Sequence, residues 1–170
     1  CWSESMKDEL FDQFPFVDLA FGPGNIHRLG DFIQAGGEIP RGHFSTFDSF
    51  AGDLPLKRDR AHQAWLQIST GCNCNCAYCI VPSVRGREHS RHPDDLVREA
   101  SILAADGVCE LTMLGQNVNS YGRDLRPGVT TSFAALLRAL DAVPGIERIR
   151  FTSPHPKDMR DDVIAAMAES

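Results

Sequence analysis

Hydrophobic positions along the chain switch between a period near two and a period near 3.6. From Ala64 to Thr70 the run Ala-Trp-Leu-Gln-Ile-Ser-Thr is partly alternating and β-rich, which predicts a strand ending at Gly71. Pro93 then opens a helical stretch to about Ala105, with Leu96, Val97, Ala100, Leu103 and Ala104 on one face. Asp94 and Asp95 suit its first turn and Gly107 its end. Val108 to Leu114 reads as a second strand, and Phe133 to Leu140 as a second helix stopped near Pro144-Gly145. Ile149 to Thr152 reads as a third strand and Asp158 to Ala168 as a third helix. The order β-loop-α, three times over, predicts a parallel sheet with right-handed crossovers.

Upstream the pattern is weaker. Phe16 to Phe21 predicts a strand, Gly22 to Asn25 a turn and His27 to Ala35 a short helix. The stretch 52–63 carries Pro55 and the charges Lys57, Arg58, Asp59 and Arg60, and reads as a linker. No repeat or low-complexity run interrupts the chain.

Composition narrows the class. Hydrophobic residues make up 42%, enough for a core, and no apolar run approaches a membrane span. Net charge is −6, which is not the balance of a free-standing nucleic-acid binder. Arg85, Arg87 and Arg91 with His89 and His92 form one local basic patch, either a solvated loop or a contact for phosphates or a carboxylate. An acidic balance and reduced cysteines suit a cytoplasmic protein, and a monomer is the expected state.

The chemistry lies in the run Gly71-Cys72-Asn73-Cys74-Asn75-Cys76-Ala77-Tyr78-Cys79. Cys72, Cys76 and Cys79 stand in a C-x3-C-x2-C spacing that can hold three irons of a four-iron cluster and leave the fourth iron open. Zinc remains an alternative, with Cys74 as a fourth thiolate, although zinc sites more often use two separated C-x2-C pairs. A redox Cys76/Cys79 pair or disulfides are further readings, but the six cysteines show no secreted framework. Cys109, at the start of a predicted strand, reads as a small buried apolar residue.

With its flanks, this motif resembles the radical-SAM methylthiotransferase family. The matching pieces are Gly71 to Cys79, Ile80-Val81-Pro82-Ser83-Val84-Arg85-Gly86-Arg87-Glu88, and Ser90-Arg91. They continue in Leu114-Gly115-Gln116-Asn117-Val118-Asn119 and Arg150-Phe151-Thr152-Ser153-Pro154-His155-Pro156. The cysteines give only the superfamily. The Val-Pro-x-x-Arg-Gly run is similar to methylthiotransferases, and Gly-Gln-Asn-Val-Asn resembles the branch that acts on isopentenyladenosine in tRNA.

The resemblance implies an α/β fold: residues 1–51 as the end of an N-terminal α/β domain, 52–63 as a linker, and 64–170 as the first half of a parallel (β/α) radical-SAM barrel. The chain would then be an internal fragment, inactive alone. Cys72, Cys76 and Cys79 would hold a 4Fe-4S cluster whose open iron takes S-adenosylmethionine (SAM). Tyr78, Gly115, Gln116, Asn117, Ser153 and His155 would face SAM, and Arg85, Arg87 and Arg91 the substrate. Cys1 would be one ligand of an auxiliary cluster, incomplete here, so that the parent carries two clusters. The implied reaction is methylthiolation at C2 of an isopentenyl-modified adenosine beside the anticodon, with tRNA as partner and flavodoxin or ferredoxin as electron donor. The residues leave open a methylthiotransferase for ribosomal protein or threonylcarbamoyladenosine tRNA, and a non-catalytic zinc- or RNA-binding module. Cys74 departs from the family pattern, which places a non-cysteine residue between the first two ligands.

Overall fold

The computed structural model describes residues 1–35, 40–45, 47, 50, 58, 60–125, 128–129 and 131–169. They gather into two compact units, one from Cys1–Pro55 with Gly71–Arg87, the other from Leu56–Thr70 with Glu88–Ser170.

The first unit contains helices α1 (Trp2–Met6), α2 (Glu9–Gln13), α3 (Leu29–Ala35) and α4 (Val81–Arg85), and a parallel pair of short strands, β1 (Ala20–Phe21) and β2 (Gly42–His43). Leu10, Ala20, Phe32 and Val84 are buried in it, and the Phe32 ring stacks on His43 at 4.1 Å. The strand expected over 16–21 is reduced to its last two residues. The Arg41 guanidinium takes the carbonyls of Pro15 and Val17 (3.0 and 3.1 Å), so those groups serve a side chain instead of a ladder. The expected turn at 22–25 opens a 3-10 helix over Pro23–Arg28, and α3 begins only at Leu29. Pro23 fixes the φ that starts this tighter helix. Most of the expected linker lies outside the described residues.

The second unit is built on strands β3 (Gln63–Gln67), β6 (Glu110–Leu114) and β7 (Arg148–Phe151), all parallel and neighbours in chain order. Helices α5 (Pro93–Ala105), α6 (Phe133–Asp141) and α7 (Asp161–Glu169) follow the three strands. Ala64 and Leu66, Leu111 and Met113, and Ile149 and Phe151 alternate onto one sheet face. That face shares a single core with Leu96, Ala100 and Leu103 of α5, Leu136 and Leu140 of α6, and Val163 and Ala166 of α7. All three helices therefore cover the same side of the sheet.

Registration sets the opposite face: Gln63, Glu110 and Arg148 form one row, and Trp65, Thr112 and Arg150 the next. Glu110 is buried at the amino end of β6 and accepts from Gln63 Nε2 (2.6 Å), Arg148 (2.9 Å) and Arg150 (2.9 Å). The Arg148 hydrogen bond, then that of Arg150, holds its carboxyl below the usual range against the opposing effect of burial.

Helix α5 has the expected bounds. His92 Nδ1 accepts the Asp94 N–H at its start, and Gly107 adopts a φ of 87° just after its end. The first expected strand is split. Beyond β3, Ile68 N–H still donates to the Leu114 carbonyl, after which β4 (Ser69–Thr70) turns to pair antiparallel with β5 (His89–Ser90). The third helix starts at Asp161, not Asp158, because Pro156–Asp158 form a separate 3-10 turn capped by His155. Cys109, expected to be buried, is half-buried just before β6 begins. Helix α4, with Pro82 in its first turn, was not foreseen.

Candidate functional site

The cysteine loop belongs to the first unit and is fastened at its neck. Gly71 has a φ of 74°, and a Cβ there would lie 1.9 Å from the Arg87 carbonyl oxygen. Cys72 N–H donates to the Gly86 carbonyl at 3.1 Å, and Gly86 itself has a φ of 73°. Only residues without a side chain permit this approach and these dihedrals together. Inside the loop, Cys79 N–H donates to the Cys76 carbonyl (3.0 Å), and Cys74 N–H points to Cys72 Sγ (3.4 Å). Cys72 and Cys74 are buried, while Cys76 and Cys79 are half-buried. Among the described residues no three Cys, His, Asp or Glu side chains stand together as a ready-made metal site. The donor set nevertheless fits an iron–sulfur cluster: soft thiols, a closed loop, and a backbone N–H already directed at one sulfur.

Tyr78 is 94% exposed. In the same unit the guanidinium of Arg85 donates to the sulfur of the exposed Cys1 at 3.1 Å, and Arg87 is exposed.

The second unit carries a buried polar cluster at the carboxyl ends of its strands. A Cβ on Gly115 would come within 2.6 Å of Ser69 Oγ, so the chain passes that hydroxyl closely. Ser69 Oγ and Gln116 Oε1 are buried and have no hydrogen-bond partner among the described residues. A buried acceptor and hydroxyl in this state, beside a glycine, fit a polar ligand such as the amino and hydroxyl groups of SAM. Asn117 Nδ2 donates to Asp158 Oδ2 (2.7 Å), and Arg123 donates to the other carboxylate oxygen (2.6 Å). Asn119 bridges the strand ends, donating to the His155 carbonyl (3.0 Å) and accepting its N–H (2.8 Å). Ser153 is exposed with a φ of 57°, and His155 Nδ1 accepts from Lys157 N–H.

Arg91 belongs to the second unit. Its guanidinium donates to the Gln67 carbonyl (3.0 Å) and to Glu99 (2.6 Å), so it ties β3 to α5. His89 lies in β5 and His92 caps α5.

Sequence reasoning missed Glu88, Ser120, Arg123, Asp124 and Asp158 as members of this cluster. Ser120 Oγ lies 2.5 Å from Glu88 Oε1 and 2.8 Å from the Asn117 carbonyl. Asp124 accepts from the Ser90 N–H and hydroxyl at 2.8 and 2.6 Å. The only sequence signal was a density of polar residues just past the predicted strand ends.

Burial raises the Glu88 pKa above its ordinary value of 4.5; the Ser120 hydrogen bond works against that, and Asp124 adds to it. A carboxyl raised in the folded state contributes stability that is full below its unfolded value and is lost as pH rises through the folded value. Denaturant midpoints are therefore expected to fall as pH climbs through the range just above 4.5, and Glu88→Gln to flatten that slope. Equal slopes in the two proteins would contradict the assignment. Asp158 behaves oppositely. Burial pushes its carboxyl upward, but Asn117 and Arg123 outweigh burial and hold it below 3.8.

The model of the Radical SAM superfamily matches residues 66–170. Curated relatives align with the whole chain: 46% identity over 173 residues to a protein of Acidothermus cellulolyticus, and 43% over 173 residues to one of Streptomyces coelicolor. A Parafrankia relative is 45% identical over the same length. Each is named tRNA-2-methylthio-N(6)-dimethylallyladenosine synthase, and the chain spans only 34 to 35% of their lengths. A family match over most of the chain, a cysteine-rich loop closed at its neck and a polar cluster at the carboxyl ends of a parallel sheet agree: the chain belongs to the radical SAM superfamily.

Proposed function

We propose that this chain is the cluster-bearing part of a radical-SAM methylthiotransferase acting on tRNA at C2 of an isopentenyl-modified adenosine. The observation that carries this reading is the alignment of the whole chain, at 46% identity, with a relative whose name states that modification. Cys72, Cys76 and Cys79 are the proposed ligands of a 4Fe-4S cluster. When bound, this group supplies the electron that cleaves SAM and so starts the radical chemistry.

The protein's own part is to bind and orient. Gly71 and Gly86 close the loop that carries the thiols. Gln116 Oε1 and Ser69 Oγ offer buried polar atoms to SAM, and Gly115 lets the backbone approach closely. Asn117, Ser153, His155 and Tyr78 are the remaining proposed SAM contacts. Arg85 and Arg87 are proposed to meet tRNA phosphates, and a target base beside the anticodon is unpaired and accessible. Cys1 is the proposed ligand that this chain contributes to an auxiliary cluster.

The domain assignment follows the same reading: 1–51 as the end of an N-terminal α/β domain, 52–63 as linker, 64–170 as the first half of a barrel. Its support is a sheet in chain order, β3–β6–β7, with every following helix on one face, the layout from which a (β/α) barrel grows. Among the described residues no helix is long and apolar enough to cross a membrane. A cytoplasmic monomer reduced by flavodoxin or ferredoxin completes the proposal.

The test is nucleoside analysis of tRNA from cells with and without the parent gene. Loss of the methylthio group from isopentenyladenosine, restored by complementation, is the expected result. Unchanged tRNA with an altered ribosomal protein would overturn it.

A further inference from the structure

We infer that Asp158 is a positioning residue for SAM, acting by fixing which end of the Asn117 side chain the ligand meets. The argument starts from what a carboxylate can do. Ionised, it only accepts, so an amide hydrogen-bonded to it must offer its NH2. Asn117 Nδ2 lies 2.7 Å from Asp158 Oδ2, which turns the Asn117 carbonyl oxygen away from Asp158. Rotation about the last torsion of an asparagine is broad and nearly two-fold, so nothing intrinsic to the side chain selects this orientation.

Asp158 is itself held. It is 3% exposed, Arg123 donates to its other oxygen at 2.6 Å, and Lys157 Nζ lies 4.0 Å from Oδ2. Those partners keep it charged in a buried place, and a charged acceptor is a one-way lock on its neighbour. The lock spans two strand ends: Asn117 follows β6, and Asp158 closes the turn after β7. Asn117 therefore presents an acceptor to the amino and hydroxyl donors of SAM, next in sequence to the buried acceptor Gln116 Oε1. This inference rests on the proposal that SAM meets Asn117.

The experiment is a SAM titration of the anaerobically reconstituted holoprotein, read from the EPR spectrum of the reduced cluster, with melting temperature measured alongside. The variants are Asp158→Asn, Asn117→Ala and the double substitution. Asparagine at 158 keeps the shape but can donate as well as accept, so the Asn117 amide is free to turn over. Asp158→Asn is expected to weaken SAM binding roughly tenfold, the scale of one hydrogen bond to a charged group. The double variant should bind no more weakly than Asn117→Ala alone, because the two residues act in series.

Wild-type affinity in Asp158→Asn, or additive losses in the double variant, would overturn the inference. Wild-type affinity in Asn117→Ala would instead overturn the assignment of Asn117, and a holoprotein whose spectrum ignores SAM would overturn the radical-SAM reading beneath both. Should Asp158→Asn fail to take up iron, Arg123→Met removes the anchor of Asp158 from a half-exposed position and is expected to weaken SAM binding in the same way; unchanged affinity there would overturn the inference.

Discussion

Single replacement of Cys72, Cys76 or Cys79 by alanine is expected to abolish the iron–sulfur cluster, lowering iron from about four per chain to near zero after anaerobic reconstitution. A cluster with one iron already open to SAM has no spare protein ligand, so the loss of any one thiolate leaves two irons uncovered. Cys74→Ala is the informative control. Cys74 is as buried as Cys72, and its backbone N–H reaches the Cys72 sulfur. Alanine keeps that N–H. Cys74→Ala is therefore expected to retain full iron and a SAM-responsive EPR signal. A Cys74→Ala protein that loses its iron would make Cys74 a ligand and bring back a four-thiolate site. Full iron in any of the other three variants would remove that residue from the ligand set.

The second large effect is expected from Gly71→Ala. A left-handed φ of 74° costs an L-residue about 1–2 kcal/mol. The added methyl would also stand 1.9 Å from a backbone carbonyl, that of Arg87, which no rotamer change relieves. The neck must open, and the Cys72–Gly86 hydrogen bond goes with it. The combined loss is expected to exceed about 3 kcal/mol, visible as a lower urea midpoint together with poor iron uptake. Gly107→Ala separates the two causes: its φ of 87° is similarly strained, but nothing lies within 4 Å of the new methyl. Only the dihedral cost should appear there. Equal losses at 71 and 107 would show that the contact with Arg87 carries no weight.

What could be read in the sequence follows from the range of the forces involved. Helix α5 is legible to the residue because proline, a pair of aspartates, the apolar spacing and Gly107 all act within one or two turns. The three strands of the parallel sheet are legible because alternation is local as well. The strand expected at 16–21 shrinks to its last two residues because Arg41, more than twenty residues away, takes the carbonyls of Val17 within it and of Pro15 just before it. The same holds for the site. The thiol spacing stands in one short run, whereas Asn117 and Asp158 are 41 residues apart and Arg123 and Asp158 are 35 apart. No periodicity announces a buried carboxylate of that kind. Arg91 shows the converse: it sits beside Arg85 and Arg87 in sequence, yet its charge is used against Glu99.

The fastened neck has a consequence for how the site fills. With Cys72 N–H joined to Gly86, the loop between them is a short closed ring, and its thiols explore a small volume. Thiols tethered in this way meet one another at an effective concentration on the order of millimolar. Once one sulfur has captured metal, the others arrive by intramolecular steps, and loading becomes nearly all-or-none. Loosening the ring would make partly loaded chains accumulate at limiting iron, even where the completed cluster is equally stable.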